Sequence, residues 1–247
     1  NVAIRTIQLH GGQAIYGVGG GITWDSTWES EYREVQQKAA VLYRKQPRFQ
    51  LITTGKISQK KLLFEKQHLE RLQKASRYFA FPFDQEVLRQ KIEKEYQACD
   101  LHQDYRLRIS LSKSGEIEIE RQVLTPLSSN FCQAKLCLQE ADLEQSFTYF
   151  KTTYRPYLTV GEQEIIYHTA DGKLLETSIG NLVLKMDGKL YTPPSTLGLL
   201  PGIYRQHLLE SRQVEEKVLT IEDLAQAEAI YGCNAVRGLY ELSVKEH

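Results

Sequence analysis

Phe150-Lys151-Thr152-Thr153-Tyr154-Arg155 is the stretch on which the reading of this chain turns. A lysine behind an aromatic residue means little by itself. Two later stretches give it weight: Leu175-Glu176-Thr177-Ser178-Ile179-Gly180-Asn181 and Leu200-Pro201-Gly202-Ile203-Tyr204-Arg205, each about 25 residues beyond the one before. Lys151 follows Phe147-Thr148-Tyr149-Phe150, a setting that suits a semi-buried amine, and Arg155 lies close in sequence. A desolvated lysine beside other cations gives up its proton more easily, as a nucleophilic amine must. The third stretch opens a helix expected to run to about Glu210. Free N–H groups at a helix N-terminus form an anion site, and Gly202 permits close approach.

Bulk properties set outer limits. A chain of 247 residues can bury a large core in one or two domains. Apolar content of 41% and charged content of 25% are ordinary for a soluble protein. Lys plus Arg (31) balances Asp plus Glu (31), which removes any global electrostatic case for nucleic acid or an acidic membrane. Cys99, Cys132, Cys137 and Cys233 match neither a zinc site nor a disulfide framework, so reduced thiols in a cytoplasmic protein are expected. No apolar run approaches the roughly 20 residues that span a bilayer. The chain opens Asn1-Val2-Ala3-Ile4-Arg5, without a signal-peptide pattern or an initiator methionine, and is expected to be a piece of something longer.

Taken in order, Asn1 to Leu9 and Ala14 to Val18 read as strands around the turn His10-Gly11-Gly12-Gln13. Ser26 is placed to cap a helix from about Trp28 to Tyr43. One hairpin and one helix cannot close a core of their own. A polar break at Gln46 to Arg48 precedes a strand from Phe49 to Ile57 and a helix from Lys66 to about Tyr78. Pro82-Phe83-Asp84 caps a second helix, Gln85 to Ala98, apolar at Val87, Leu88, Ile92 and Tyr96. Tyr105 to Leu111 and Ile117 to Glu120 alternate as strands around Lys113-Ser114-Gly115. Arg106 and Arg108 then share one face, either lining a cleft that holds substrate carboxylates or forming a solvated edge. Thr125 to Asn130 reads as a linker between lobes. Lys135 to Leu138 is a strand. Ile165 to His168 and Leu174 to Thr177 form a pair around Asp171-Gly172-Lys173, and Asp187-Gly188 makes another hairpin turn. These breaks divide the chain into 1–45, 46–126 and 127–247.

The three stretches, preceded by Lys66-Gln67-His68-Leu69-Glu70-Arg71-Leu72, resemble the fold-type IV, pyridoxal-phosphate-dependent family of branched-chain aminotransferases, D-amino-acid aminotransferases and 4-amino-4-deoxychorismate lyases. The resemblance covers about 46–247 and implies an α+β fold in two lobes, with pyridoxal 5'-phosphate in the cleft between them. It gives Lys151 the Schiff base to the cofactor and Glu176 the pyridine nitrogen. A carboxylate there keeps that nitrogen protonated, so the ring accepts electrons from the substrate. It assigns the phosphate to Arg71, whose fork fits a phosphate bidentately, and to the backbone at Ile203 and Tyr204. Many relatives carry threonine where this chain has Tyr204. Asn234 and Ala235 complete the cofactor-binding candidates. Arg106, Arg108, Arg155 and Arg237 are candidates for substrate; Arg237 either reaches it or is exposed. His68 is read as structural, and Asn181 as a turn residue or a contact. Members of the family are usually homodimers, so a homodimer is expected.

Residues 1–43 resemble the extreme C-terminus of chorismate-utilising enzymes, component I of anthranilate and aminodeoxychorismate synthases. The matching residues are Ala3-Ile4-Arg5-Thr6, Gly19-Gly20-Gly21-Ile22, Asp25-Ser26, and Glu29, Glu31, Tyr32 and Glu34 leading to Lys38-Ala39. In that family the glycine turn approaches the substrate carboxylate and the helix carboxylates lie near magnesium. Most of that domain is absent here, so Glu31 and Glu34 are read as a solvated helix face and no metal is expected. The resemblance makes the rest of such a synthase, its chorismate-binding domain and a glutamine amidotransferase, the expected macromolecular partners.

A synthase tail joined to a lyase-like domain puts consecutive steps on one polypeptide. The expected activity is therefore 4-amino-4-deoxychorismate lyase, which yields 4-aminobenzoate and pyruvate for folate synthesis. Thr53-Thr54 and Asn234-Ala235 also look more like the lyases. An aminotransferase on D- or branched-chain amino acids is the second reading, and a non-catalytic appendage of the synthase is the third.

Overall fold

A computed structural model describes residues 6–43, 47–139 and 145–244 of the chain. The chain divides into two compact units, 1–48 and 49–247.

In the first unit, β1 (Ile7–His10) pairs antiparallel with β2 (Gln13–Tyr16), with His10 opposite Gln13. The two-residue turn works because Gly11 and Gly12 both take positive φ, at 54° and 79°. The first half of the strand expected from Asn1 lies outside the described residues. Helix α1 spans Trp28–Tyr43. Its start differs from expectation in one detail. Thr27, not Ser26, caps it: Thr27 Oγ1 accepts from the Ser30 N–H at 3.3 Å, while Ser26 Oγ donates to Glu31 Oε1 at 2.7 Å. The helix begins one residue later than Ser26 could serve. Glu34 pairs with Lys38 at 2.6 Å, and Lys38 Nζ also donates to the Gly19 carbonyl at 2.8 Å. None of the buried apolar clusters among the described residues includes a residue of this unit. Leu9, Ile22 and Trp24 are exposed.

The second unit begins with β3 (Leu51–Ser58), β4 (Lys61–Leu62), α2 (Glu65–Phe79), α3 (Gln85–Gln97), β5 (Tyr105–Leu111) and β6 (Ile117–Val123). The strands form one sheet in the order β4-β3-β5-β6. Strict alternation in β3 sends Leu51, Thr53, Gly55 and Ile57 inward. They meet Leu69 and Leu72 of α2, Leu88 and Ile92 of α3, and Leu107 and Ile109 of β5. Asp84 caps α3 by accepting from the N–H groups of Glu86 and Val87. Val87, expected on the apolar face, is exposed instead.

The remainder is a larger lobe: β7 (Gln133–Leu138), α4 (Gln145–Tyr149), β8 (Ile165–His168), β9 (Leu174–Thr177), β10 (Asn181–Met186), β11 (Lys189–Thr192), α5 (Ile203–Glu210), β12 (Glu215–Glu216), α6 (Ile221–Gln226), β13 (Ala229–Asn234) and β14 (Gly238–Val244). The eight strands order as β12-β11-β10-β13-β14-β7-β8-β9. Central β10 is buried on both faces: Leu182 and Leu184 pack toward Leu224 of α6, and Val183 toward Leu208 of α5. An aromatic cluster joins the lobes. Phe147 of α4 packs edge-on to Phe49 (5.1 Å) and Phe150 edge-on to Phe79 (5.4 Å). No helix among the described residues is long and apolar enough to cross a membrane.

Candidate active site

Lys151 is placed by the smaller lobe's sheet. The Ile52 N–H donates to the Lys151 carbonyl, and the Thr153 N–H to the Gln50 carbonyl, each at 2.9 Å. The segment therefore lies along β3 as an added edge. Phe147 and Phe150, just before it in the chain, pack into the ring cluster of Phe49, Tyr78 and Phe79. The side chain enters a cavity of about 560 Å³ between the lobes. Burial, then the charges of Arg71 and Arg155, bring the Lys151 amine down to about 7, against an upward pull from Glu176.

Glu176 reaches the same cavity from β9 and is almost fully buried. Burial raises its pKa, and Arg155 opposes this most strongly. Arg155 Nη2 lies 3.2 Å from Glu176 Oε1 and 3.4 Å from Oε2. Arg71 approaches from α2 and donates from Nη2 to the Pro201 carbonyl at 2.7 Å. That carbonyl lies just before α5, where Gly202 and Ile203 line the cavity. Gly202 has an ordinary extended φ of −65°, so its value is space: a Cβ there would fall on Asn181 Oδ1. Asn181 is fixed in turn by donating from Nδ2 to the Leu200 carbonyl at 2.8 Å. The first N–H groups of α5 lack intrahelical partners, as at any helix start.

Ten of the expected site residues line this one cavity: Arg71, Arg106, Arg108, Lys151, Arg155, Glu176, Ile203, Asn234, Ala235 and Arg237. The side chain of Tyr204 is turned elsewhere, its ring packing on Phe64 and His207. Arg106 and Arg108 share the cavity face of β5 with Ile52 and Thr54 of β3, Arg108 standing opposite Thr54. Arg108 Nε is buried without a hydrogen-bond partner, whereas Arg106 donates to Gln122 at 3.1 Å. Arg237 donates to the Thr125 carbonyl. Asn234 Oδ1 accepts from the N–H groups of Val236 and Arg237, which shapes that loop. His68 lies behind the cavity, bonded to Thr53 at 2.6 Å; burial, with Arg71 and Lys151, pushes it down to about 3, so it stays neutral.

Two residues with structural roles at the site carry no local sequence signal. Glu164, fully buried, accepts from Ser178 Oγ at 2.5 Å, the Ile179 N–H at 3.1 Å and Tyr240 Oη at 3.1 Å. It thereby holds the turn between β9 and β10, whose Ser178, Ile179 and Gly180 line the cavity. Arg205, also buried, bridges the Pro193 carbonyl and Glu216 beneath α5.

The sequence pattern of class IV amino-transferases matches residues 50–243, and that of chorismate binding enzymes matches residues 1–44. The chain belongs to the class IV aminotransferase family. It joins to that domain a segment similar to chorismate binding enzymes. Solved structures agree on the fold. One is an amino-acid aminotransferase, so named provisionally, from Mesorhizobium loti (25% identity, TM-score 0.69, 80% of this chain and 100% of that one). Another is a protein from Haemophilus somnus provisionally named a 4-amino-4-deoxychorismate lyase (26%, TM-score 0.61, 79% and 100%). A hypothetical aminotransferase from Mycobacterium tuberculosis in a PLP-bound form shares the fold (18%, TM-score 0.67, 79% and 81%). An uncharacterised protein of Haemophilus influenzae is 36% identical over 69 residues, which take in 28% of this chain and only 36% of that protein's length.

The family's cofactor is pyridoxal 5'-phosphate, and the residues present fit it. The cavity offers a buried amine that deprotonates near neutrality, a buried carboxylate, and a helix start kept open at Gly202 beside Arg71.

Proposed function

We propose that this chain is a 4-amino-4-deoxychorismate lyase, releasing 4-aminobenzoate and pyruvate. The observation that carries the proposal is the charge of the cavity. Among the described residues, Arg71, Arg106, Arg108, Arg155 and Arg237 line it with Lys151, against the one carboxylate of Glu176. A cofactor phosphate and the Arg155–Glu176 pair leave Arg106, Arg108 and Arg237 for an anionic substrate. A substrate with two carboxylates uses that surplus; a neutral amino acid, with one, leaves it largely uncompensated. The chorismate-binding segment at 1–44 favours the same substrate.

In this reading the α5 N-terminus at Ile203 and Tyr204, with Arg71, Asn234 and Ala235, would hold the phosphate. Glu176 would pair with the ring nitrogen. Bound there, the cofactor supplies an electron sink next to the substrate amine. Arg106, Arg108 and Arg237 hold the substrate carboxylates, which fixes the amine-bearing carbon over Lys151. The Lys151 amine, about half of it neutral at pH 7, removes the proton from that carbon. As the carbon–oxygen bond to the enolpyruvyl group breaks, the ring becomes aromatic and the oxygen takes the bonding pair. Lys151 then returns its proton to the departing enol, giving pyruvate. Substrate and products balance without an added reductant or water. Aromatisation supplies the drive, so the protein chiefly positions groups and provides one base.

The experiment is pyruvate release from 4-amino-4-deoxychorismate, followed through lactate dehydrogenase with pyridoxal phosphate present. Equal amounts of pyruvate and 4-aminobenzoate are expected. The likeness to the Mesorhizobium loti protein favours the second reading, an aminotransferase on D- or branched-chain amino acids. Absence of pyruvate, with conversion of the cofactor to its amine form by D-alanine or L-leucine, would establish that reading instead. Neither signal would make the domain a non-catalytic appendage.

A further inference from the structure

Arg155 stands apart from the other cavity arginines because its charge is already engaged. Its Nη2 reaches both oxygens of Glu176, at 3.2 and 3.4 Å, and the two side chains are 16% and 4% exposed. From behind, Nε and Nη2 donate to Tyr157 Oη at 3.3 and 3.2 Å, and the guanidinium lies over the Tyr157 ring. The Tyr157 hydroxyl donates in turn to the Phe147 carbonyl at 3.1 Å. The chain of bonds runs from α4 through Tyr157 and Arg155 to Glu176. A guanidinium placed to catch a substrate carboxylate would keep its fork free.

We infer that Arg155 is a positioning residue for Glu176, fixing that carboxylate and sharing it with the ring nitrogen of the cofactor. The inference rests on Glu176 facing that nitrogen, as proposed above. A carboxylate offers about four acceptor positions. Arg155 takes one on each oxygen and the Leu200 backbone takes another, which leaves room for one further donor. Two consequences follow. A carboxylate shared with a guanidinium is a weaker base, so it holds a ring proton less tightly than a lone carboxylate would. And a buried carboxylate drifts toward its neutral acid unless a cation faces it; Arg155 is that cation. The same charge bears on Lys151, together with Arg71 from α2 and Arg106 from β5, while Glu176 opposes all three.

The test is a double-mutant cycle on cofactor affinity, read by titrating apoprotein with pyridoxal phosphate and following visible absorbance. R155Q is expected to weaken binding on the order of tenfold, with R155K recovering part of the loss. In an E176Q background, R155Q should change affinity less than about twofold, because the residue it acts through is gone. R155Q should also move the pH midpoint of cofactor capture upward by about one pH unit, since a cation facing Lys151 has been removed. Multiplicative effects of R155Q and E176Q, or an unmoved midpoint, overturn the inference. Should R155Q fail to fold, R155K carries the same cycle, because an ammonium cannot span Tyr157 and both Glu176 oxygens together. K151A separates the two levels. If it abolishes the cofactor band while the cycle shows no coupling, only the role of Arg155 falls; if the band survives, the site reading falls with it.

Discussion

Arg71, on α2 of the smaller lobe, donates to the carbonyl of Pro201 at the threshold of α5 in the larger one. One side chain thus joins the two elements that would share a phosphate. Arg71→Met keeps much of the stem and removes the fork. Cofactor affinity should drop about tenfold to a hundredfold, the range for losing hydrogen bonds to a charged group. Titration of apoprotein checks this. An unchanged dissociation constant would leave Arg71 a lobe-to-lobe tie only.

The Lys151 amine sits near 7 rather than 10.5. At pH 7 about half of it is neutral, against about one part in 3,000 for an ordinary lysine. The neutral amine is the form that attacks a carbonyl. Capture of pyridoxal phosphate should therefore accelerate with pH up to about 7 and then level off. Stopped-flow absorbance across pH 5 to 10 measures it, and a rate still climbing at pH 9 would contradict the buried, cation-flanked setting. Lys151→Ala should abolish the visible band of the bound cofactor.

Two glycines are closed to a methyl group for different reasons. Gly202→Ala forces Asn181 away from the Leu200 carbonyl and crowds the start of α5. We expect lost cofactor affinity with the smaller lobe intact. Gly55→Ala places its Cβ 2.5 Å from His68 Nε2 and 2.7 Å from Leu62 Cδ1, inside the smaller lobe's core. That should cost about 1–3 kcal/mol of stability by overpacking. Denaturant unfolding beside cofactor titration distinguishes the two outcomes.

Burial raises the Glu164 carboxyl above its usual 4.5. Between 4.5 and that higher value the folded chain retains a proton that the unfolded chain has released. Stability contributed by this group therefore falls as pH rises through the window. Glu164→Gln cannot titrate and should flatten that slope while keeping an acceptor for Ser178. Glu164→Ala leaves the Ser178, Ile179 and Tyr240 donors without their partner and should cost about 1–3 kcal/mol or more. Thermal unfolding of the three proteins from pH 4 to 8 is the measurement.

Features with a local cause were legible in the sequence. Asp84 announces α3, because a short acceptor there satisfies the first N–H groups of the helix, and Arg106 and Arg108 share a face through the period of the strand. Local reasoning misplaced the cap of α1 by one residue, since Ser26 and Thr27 are both competent and only the backbone decides. It could not find Glu164, whose partner Tyr240 lies 76 residues along the chain, or Arg205, which is held by Pro193 ahead of its helix and Glu216 after it. The order of the eight-stranded sheet, with β7 running parallel beside both β14 and β8, is a long-range outcome of the same kind. Arg155 illustrates the boundary. Its nearness to Lys151 was readable; its attachment to Glu176, which removes it from the free arginines, was not.

The backbone bonds from Ile52 to Lys151 and from Thr153 to Gln50 tie the peptide that follows Lys151 to the strand β3. Whatever the amine does during a turnover, it does by rotating about the single bonds of its own four-carbon stem. In the reading proposed above, attack, proton removal and proton return would be successive rotamers of one side chain on that anchor. No segment of chain has to travel between them.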